Sequence, residues 1–213
     1  MNTKINKYNY FLFDWDGCLA RTLDIWLDAY KQVFAEYDMY PSDEVITEKI
    51  FGGWDNPKKL GITDIDTYTK KLLKIVNEKS KTVPLYPNAI ETLKTLKNRN
   101  KKIALITTST RRLIEPPLKY HKITEFFDLI LTTDDLAEDK PNPKLSKVAL
   151  ETLKGRKEEA VIIGDSKKDL MLAINSNIDS ILFYPEEHNL FYDIEKLKAY
   201  NPTHIIKNLS EII

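Results

Sequence analysis

Short apolar runs punctuate the chain at residues 10–13, 103–107, 129–132, 160–163 and 180–183, and between them apolar residues recur at helical spacing among charged ones. Strand followed by helix, repeated, predicts βαβ units. Because the runs are apolar at nearly every position rather than at alternate ones, helices should cover them on both faces. The expected class is therefore α/β, a doubly wound, mostly parallel sheet with a Rossmann-like core, and ligands should gather at the carboxyl ends of its strands.

One segment breaks the rhythm. Residues 21–84 contain no strand pattern but three amphipathic stretches, at 23–37, 42–51 and 64–79, the second opened by Ser42 and the third by Asp64 as helix caps. Between the second and third lies FGGWDNPKKLG, whose glycines and proline predict a loop. This organisation reads as a helical cap, residues 21–84, inserted into a core made of residues 1–20 and 85–213. Pro87 is placed to open the helix that continues through Ala89, Leu93 and Leu96. The pair Pro116-Pro117 falls where a core helix is due, so that helix is expected to start late, near Glu115, or to be kinked.

Composition narrows the class of function. With 32 acidic and 32 basic residues in 213, the chain has no cationic excess for a nucleic acid polymer or an anionic membrane. Its amino-terminal apolar run is too short for a signal sequence or a membrane span. A single cysteine, Cys18, leaves no internal disulfide and suits a reducing compartment, which makes the cytoplasm the expected location.

Four polar groups stand at or just beyond predicted strand ends. The first is FDWDG: extended geometry puts the carboxylates of Asp14 and Asp16 on one side, and Gly17 lets the chain turn away. Paired carboxylates suit covalent phosphoryl transfer, one attacking and the other serving as acid and then base. An Asx turn would use the same residues. In the second group, KKIALITTST, the hydroxyls of Thr107, Thr108 and Ser109 and the free amides at a strand-to-helix junction can cradle a phosphate, or simply cap a helix. The third is Lys140 in EDKPNPK, ahead of a helix opened by Asn142 and Pro143, where a cation can neutralise a phosphoryl group and orient a carboxylate. The fourth is AVIIGDSKKDL, with Asp165 at a strand end and Asp169 in the next first turn. Hard carboxylate oxygens without histidine or cysteine suit Mg2+, although an acidic first turn also favours a helix by itself. His121, His188 and His204 are scattered and read as surface or structural residues. Trp54, Lys58 and Lys59 on the cap loop are candidate substrate-binding residues, an aromatic face and two cations suited to a small anionic or hydroxylated leaving group.

Taken in this order, DWDGCL, LITTS, KPNP and GDSKKD resemble the four motifs of the haloacid dehalogenase superfamily of phosphatases, in the branch with a helical cap after the first strand, and the similarity covers nearly the whole chain. The resemblance implies a magnesium-dependent hydrolase of small phosphate monoesters. It implies Asp14 as the residue that becomes phosphorylated, Asp16 as acid and base, Thr107 as the phosphate-binding hydroxyl, and Lys140 as the third-motif cation. It also implies a metal held by the Asp14 carboxylate, the Asp16 backbone carbonyl and Asp165, with Asp169 taking part through water. Two departures leave the chemistry intact: Cys18 replaces a threonine or valine, and Asn177 replaces a glycine where a left-handed helix end is needed.

Other functions remain in view. The family's sugar-phosphate mutases carry a histidine about where this chain has Trp26, and its dehalogenases lack the second carboxylate. A phospho-acceptor receiver module shares the doubly wound logic but gives no reason for the helical insert. A non-catalytic binding protein on the same fold is the third alternative. The expected partner is a small phosphorylated metabolite; its identity and the oligomeric state are not written in the sequence.

Overall fold

The computed structural model describes residues 5–213; the sequence reading of residues 1–4 as the start of the core lies outside them. Six strands, β1 (Tyr10–Phe13), β2 (Lys102–Ile106), β3 (Leu129–Leu131), β4 (Ala160–Gly164), β5 (Asp179–Phe183) and β6 (His204–Ile206), form one sheet in the order β3-β2-β1-β4-β5-β6, with all neighbours parallel. Apart from polar residues at the starts of β2, β5 and β6, the strands are apolar because both sheet faces are covered. Phe11 and Phe13 of β1 join one apolar cluster with Ile103 and Leu105 of β2 and Val161 and Ile163 of β4, while the intervening Leu12, Ala104 and Ile162 join another on the opposite face. Truncating Phe13 would cost about 3–5 kcal/mol, as for a large side chain in a close-packed core.

Among the described residues, eight α-helices accompany the sheet: α1 (Thr22–Ala35), α2 (Asp43–Lys49), α3 (Ile65–Ser80), α4 (Ala89–Asn98), α5 (Arg111–Tyr120), α6 (Lys144–Leu153), α7 (Lys167–Ser176) and α8 (Ile194–Lys198). The first three lie between β1 and β2 in sequence, with α1 packed on α3 and α2. Ser42 accepts a hydrogen bond from the Val45 amide at 3.4 Å and Asp64 one from the Thr67 amide at 3.0 Å, so both expected caps open their helices.

Four local expectations need correction. The segment expected as a loop contains a 3-10 turn at Asn56–Leu60, favoured by Pro57 near its start and ended by Gly61 at φ 98°. Pro87 precedes α4 rather than opening it, and Asn88 at φ 64° makes the entry. Helix α5 starts at Arg111 and runs through Pro116 and Pro117, not late near Glu115. Burial of Ile114 and Leu118 on one face holds the helix despite the two missing amide donors, an instance of packing overriding propensity. Strand β6 escaped the sequence reading because it is a three-residue edge strand beginning with a histidine. Asn177 is left-handed at φ 53° after α7, as expected.

The strand order reverses direction at the β1–β4 boundary, and a parallel sheet opens a crevice there at its carboxyl edge. Asp14 follows β1 and Asp165 follows β4, so the topology brings both to that crevice.

Candidate active site

The Asp14 amide donates to the Ile163 carbonyl at 2.8 Å, which extends the β1–β4 pairing by one residue and fixes the carboxylate at the strand end. The chain then turns: the amides of Leu19 and Ala20 both reach the Trp15 carbonyl, and Gly17 sits at φ 75°. A Cβ at Gly17 would lie 2.2 Å from Oδ2 of Asp165, so this glycine supplies both the backbone conformation and room for the neighbouring carboxylate. Gly164 has a similar part. A Cβ there would lie 2.2 Å from Cγ of Asp169, and its absence lets the first turn of α7 press against the end of β4.

Lys140 is the hub of the buried site. Its ammonium donates to Asp14 Oδ1 at 2.5 Å and to Asp169 Oδ1 at 2.7 Å, although it comes from the segment between β3 and α6. The other oxygen of Asp169 accepts from the amide and hydroxyl of Ser166 at 3.1 and 2.6 Å in a capping box, so Asp169 both starts α7 and orients the lysine. Asp165 is buried with neither carboxylate oxygen accepting a hydrogen bond of standard geometry. Tyr192, on the segment after β5, places its phenol beside Asp165.

Three buried carboxylates, if all were ionised, would exceed the one ammonium by two negative charges. The consequence is visible in their proton affinities. Burial, the largest influence, pushes the Asp14 carboxyl up to about 8, opposed by Lys140 and reinforced by Asp169 and Asp16. Asp165 is pushed well above the usual carboxylate range by burial and then by Asp169 and Asp14. For Lys140, burial works against the charge, but Asp14 and Asp169 outweigh it and hold the ammonium firmly protonated. Oxygens of Asp14, Asp165 and Asp169 all lie within 4.8 Å of one another. All-oxygen donors, two unmatched charges and an unpartnered buried carboxylate fit a hard divalent cation.

Asp16 stands apart from this group. Its Oδ2 accepts from the Ser109 hydroxyl at 2.7 Å and, more weakly, from the Thr107 hydroxyl at 3.4 Å, while Thr107 Oγ1 accepts from the Ser109 amide at 3.0 Å. Asp14 is buried beneath, but Asp16 is half-buried and faces a cavity of about 550 Å3. Thr108 and Ser109 line that cavity from the sheet side, and Trp54 from the helical insert. Lys58 and Lys59 do not line it. Lys58 pairs with Asp55 at 2.6 Å and Lys59 reaches the Lys49 carbonyl at 3.3 Å, so both expected cap cations are directed elsewhere.

Sequence reasoning passed over Tyr192, Arg112 and Lys168, the last two of which line the cavity. Tyr192 lies in an irregular segment with no motif around it. Lys168 was legible as part of GDSKKD, though nothing in the spacing set it apart from Lys167. Cys18 is buried, its thiol directed at the Ile163 carbonyl and pushed up by burial, which suits packing and not redox chemistry.

Comparison with known proteins agrees with this geometry. Residues 11–183 match the sequence model of the family described as haloacid dehalogenase-like hydrolase. Pyrophosphatase PpaX of Bacillus mycoides is 26% identical over 210 residues, covering 97% of this chain and 96% of the relative. The protein of the same name from Oceanobacillus iheyensis is 27% identical over 206 residues, covering 95% and 94%. Among solved structures, a haloacid dehalogenase-like hydrolase of Bacteroides fragilis superposes with a TM-score of 0.81 at 25% identity over 97% of this chain and all of the other. A match across most of the chain, on a sheet that carries the four motif groups at its carboxyl edge, makes this protein a member of the haloacid dehalogenase-like hydrolases.

Proposed function

We propose that the protein is a Mg2+-dependent phosphatase that hydrolyses a small phosphate monoester through an aspartyl-phosphate on Asp14. The observation that carries this reading is the arrangement of Asp14, Asp165 and Asp169 around Lys140, with Asp16 next to the group and facing the cavity. In this mechanism a carboxylate oxygen of Asp14 attacks phosphorus, the bond to the leaving oxygen breaks, and Asp16 gives that oxygen its proton. Water then attacks the same phosphorus, Asp16 takes the water's proton, and the bond to Asp14 breaks to release orthophosphate. Thr107 and Ser109 hold Asp16 in the orientation for both transfers, and Lys140 opposes the effect of burial on Asp14 and so favours its carboxylate form. Asp14, Asp165 and the Asp16 backbone would hold the metal, with Asp169 supporting it; when bound, the metal supplies charge shielding for a phosphoryl oxygen.

Residues 21–84 act in this reading as a cap over the crevice, a unit distinct from the core of residues 1–20 and 85–213. The substrate is a small phosphorylated metabolite, not a nucleic acid polymer or a membrane, and the buried free Cys18 goes with action in a reducing cytoplasm. A second reading, cleavage of the anhydride of inorganic pyrophosphate by the same groups, is favoured by the name of the Bacillus and Oceanobacillus relatives. Orthophosphate release from a panel of phosphomonoesters and pyrophosphate, with Mg2+ and with excess chelator, tests both. Full release in chelator would overturn the metal requirement, and release from neither class would overturn the phosphatase reading.

A further inference from the structure

The cavity above Asp16 has two chemically different walls. The side contributed by the core carries Asp16, Thr108 and Ser109, with the exposed cations Arg112 on α5 and Lys168 on α7. The side contributed by residues 21–84 is formed mainly by Leu23, Trp26, Tyr30, Phe51, Trp54 and Leu73, with the Asn77 amide beside them. The four rings are contiguous: Trp54 meets Trp26 edge to face at 6.0 Å, Trp26 meets Tyr30 at 6.3 Å, and Tyr30 meets Phe51 at 5.4 Å. Trp54 is 56% exposed, a large indole at the surface beside Trp26 and the cavity.

We infer that this aromatic wall selects a phosphate monoester whose alcohol part carries a planar aromatic or heteroaromatic ring. The inference rests on the phosphatase reading and adds the leaving group to it. The transferring phosphoryl group must sit on the core side, next to Asp14 and within reach of the proton on Asp16. What remains of the substrate projects across the cavity toward the rings. A second phosphate, as in pyrophosphate, would find Arg112 and Lys168 on the core side, but on the ring side it would lose hydration against indole and phenol faces from which Lys58 and Lys59 are turned away. A sugar would turn its hydroxyls toward a side made mostly of ring and aliphatic surface. A flat ring instead finds offset or edge-on partners, and a volume of about 550 Å3 accommodates it.

The test compares benzyl phosphate, ethyl phosphate and inorganic pyrophosphate, since the two esters have alkoxide leaving groups of similar reactivity and differ in the ring. Burial of one ring should raise kcat/KM for benzyl over ethyl phosphate by about 10–100-fold, chiefly through KM, with pyrophosphate below benzyl phosphate. In Trp54→Ala, and separately in Trp26→Ala, that ratio should fall toward one. Because Trp54 is largely exposed, its truncation leaves the core packing intact, and far-ultraviolet circular dichroism verifies this. Calorimetric titration with benzylphosphonate and ethylphosphonate, which cannot be hydrolysed, reads the ring preference without turnover. Loss of all hydrolysis would thus overturn the phosphatase reading, whereas the phosphonate ratio decides this one. A benzyl-to-ethyl ratio near one, a preference for pyrophosphate, or a ratio that survives in both variants would overturn the inference.

Discussion

Gly17 approaches Asp165 so closely that a Cβ on the glycine would lie 2.2 Å from the carboxylate oxygen. Gly17→Ala would therefore add two penalties, a left-handed backbone at φ 75° and displacement of a buried carboxylate. Gly61 is also left-handed, at φ 98°, but a Cβ there meets nothing within 4 Å. Gly61→Ala should lose only the backbone contribution, about 1–2 kcal/mol. Gly17→Ala should lose more, and Mg2+ should stabilise it less than the parent. Thermal unfolding with and without Mg2+ compares the two variants; equal losses and equal metal response would show that the close approach has no consequence.

Lys140→Met removes the one ammonium that bridges Asp14 and Asp169. The remaining carboxylates would be buried without a counter-charge, and breaking such a pair costs roughly 3–5 kcal/mol. Urea unfolding in chelator should show that loss, and Mg2+ should restore part of it by binding the same carboxylates. A change below about 1 kcal/mol would mean that protonated carboxyls, not Lys140, balance the site.

Lys140 also illustrates what could be read from the sequence and what could not. It was legible together with Asp14, Asp165 and Asp169 because each follows an apolar run that must be a buried strand, and a parallel sheet collects such ends at one edge. The direction of a surface cation is not encoded that way. The charge of Lys58 and Lys59 and their Gly-flanked loop suggest a place over the site, yet Asp55 and the Lys49 carbonyl draw them off. The place of Trp26 in the aromatic wall follows from its ring contacts with Tyr30 and with Trp54, the latter across 28 residues, a tertiary fact. Tyr192 and strand β6 lack local periodicity, and their positions are set by contacts across more than twenty residues. Pro116 and Pro117 misled because propensity is local, whereas the burial of Ile114 and Leu118 that sustains α5 is not.

His188 gives a pH dependence remote from the chemistry. It is fully buried, its Nε2 2.7 Å from the Tyr86 hydroxyl, and burial, aided by Arg21, lowers its pKa to about 4. Unfolded, it would titrate near 6.5, so between these values the unfolded chain binds more protons than the folded one. Its contribution is therefore full above pH 6.5 and declines as pH falls toward 4, by on the order of 3 kcal/mol. Urea unfolding across that window should show a shallower pH slope in His188→Gln than in the parent. Identical slopes would assign the acid sensitivity to other groups.

Asp14 and Asp16 differ in partners although one residue separates them, Asp14 on Lys140 and Asp16 on Ser109. Their substitutions should fail in different ways. Asp14→Asn removes the attacking oxygen, so neither phosphoenzyme nor product forms. Asp16→Asn keeps it but loses the acid and base, and turnover should fall by roughly 10²–10⁴-fold. With p-nitrophenyl phosphate, whose leaving group needs little protonation, the first step should suffer less than the hydrolysis that follows it.

The most direct measurement is rapid acid quench of Asp16→Asn with p-nitrophenyl phosphate and Mg2+, followed by intact-mass analysis and peptide mapping. The expected result is one phosphoryl adduct located on Asp14 and absent from Asp14→Asn. An adduct on another residue, or turnover at the parent rate in Asp14→Asn, would contradict an aspartyl-phosphate mechanism at this site.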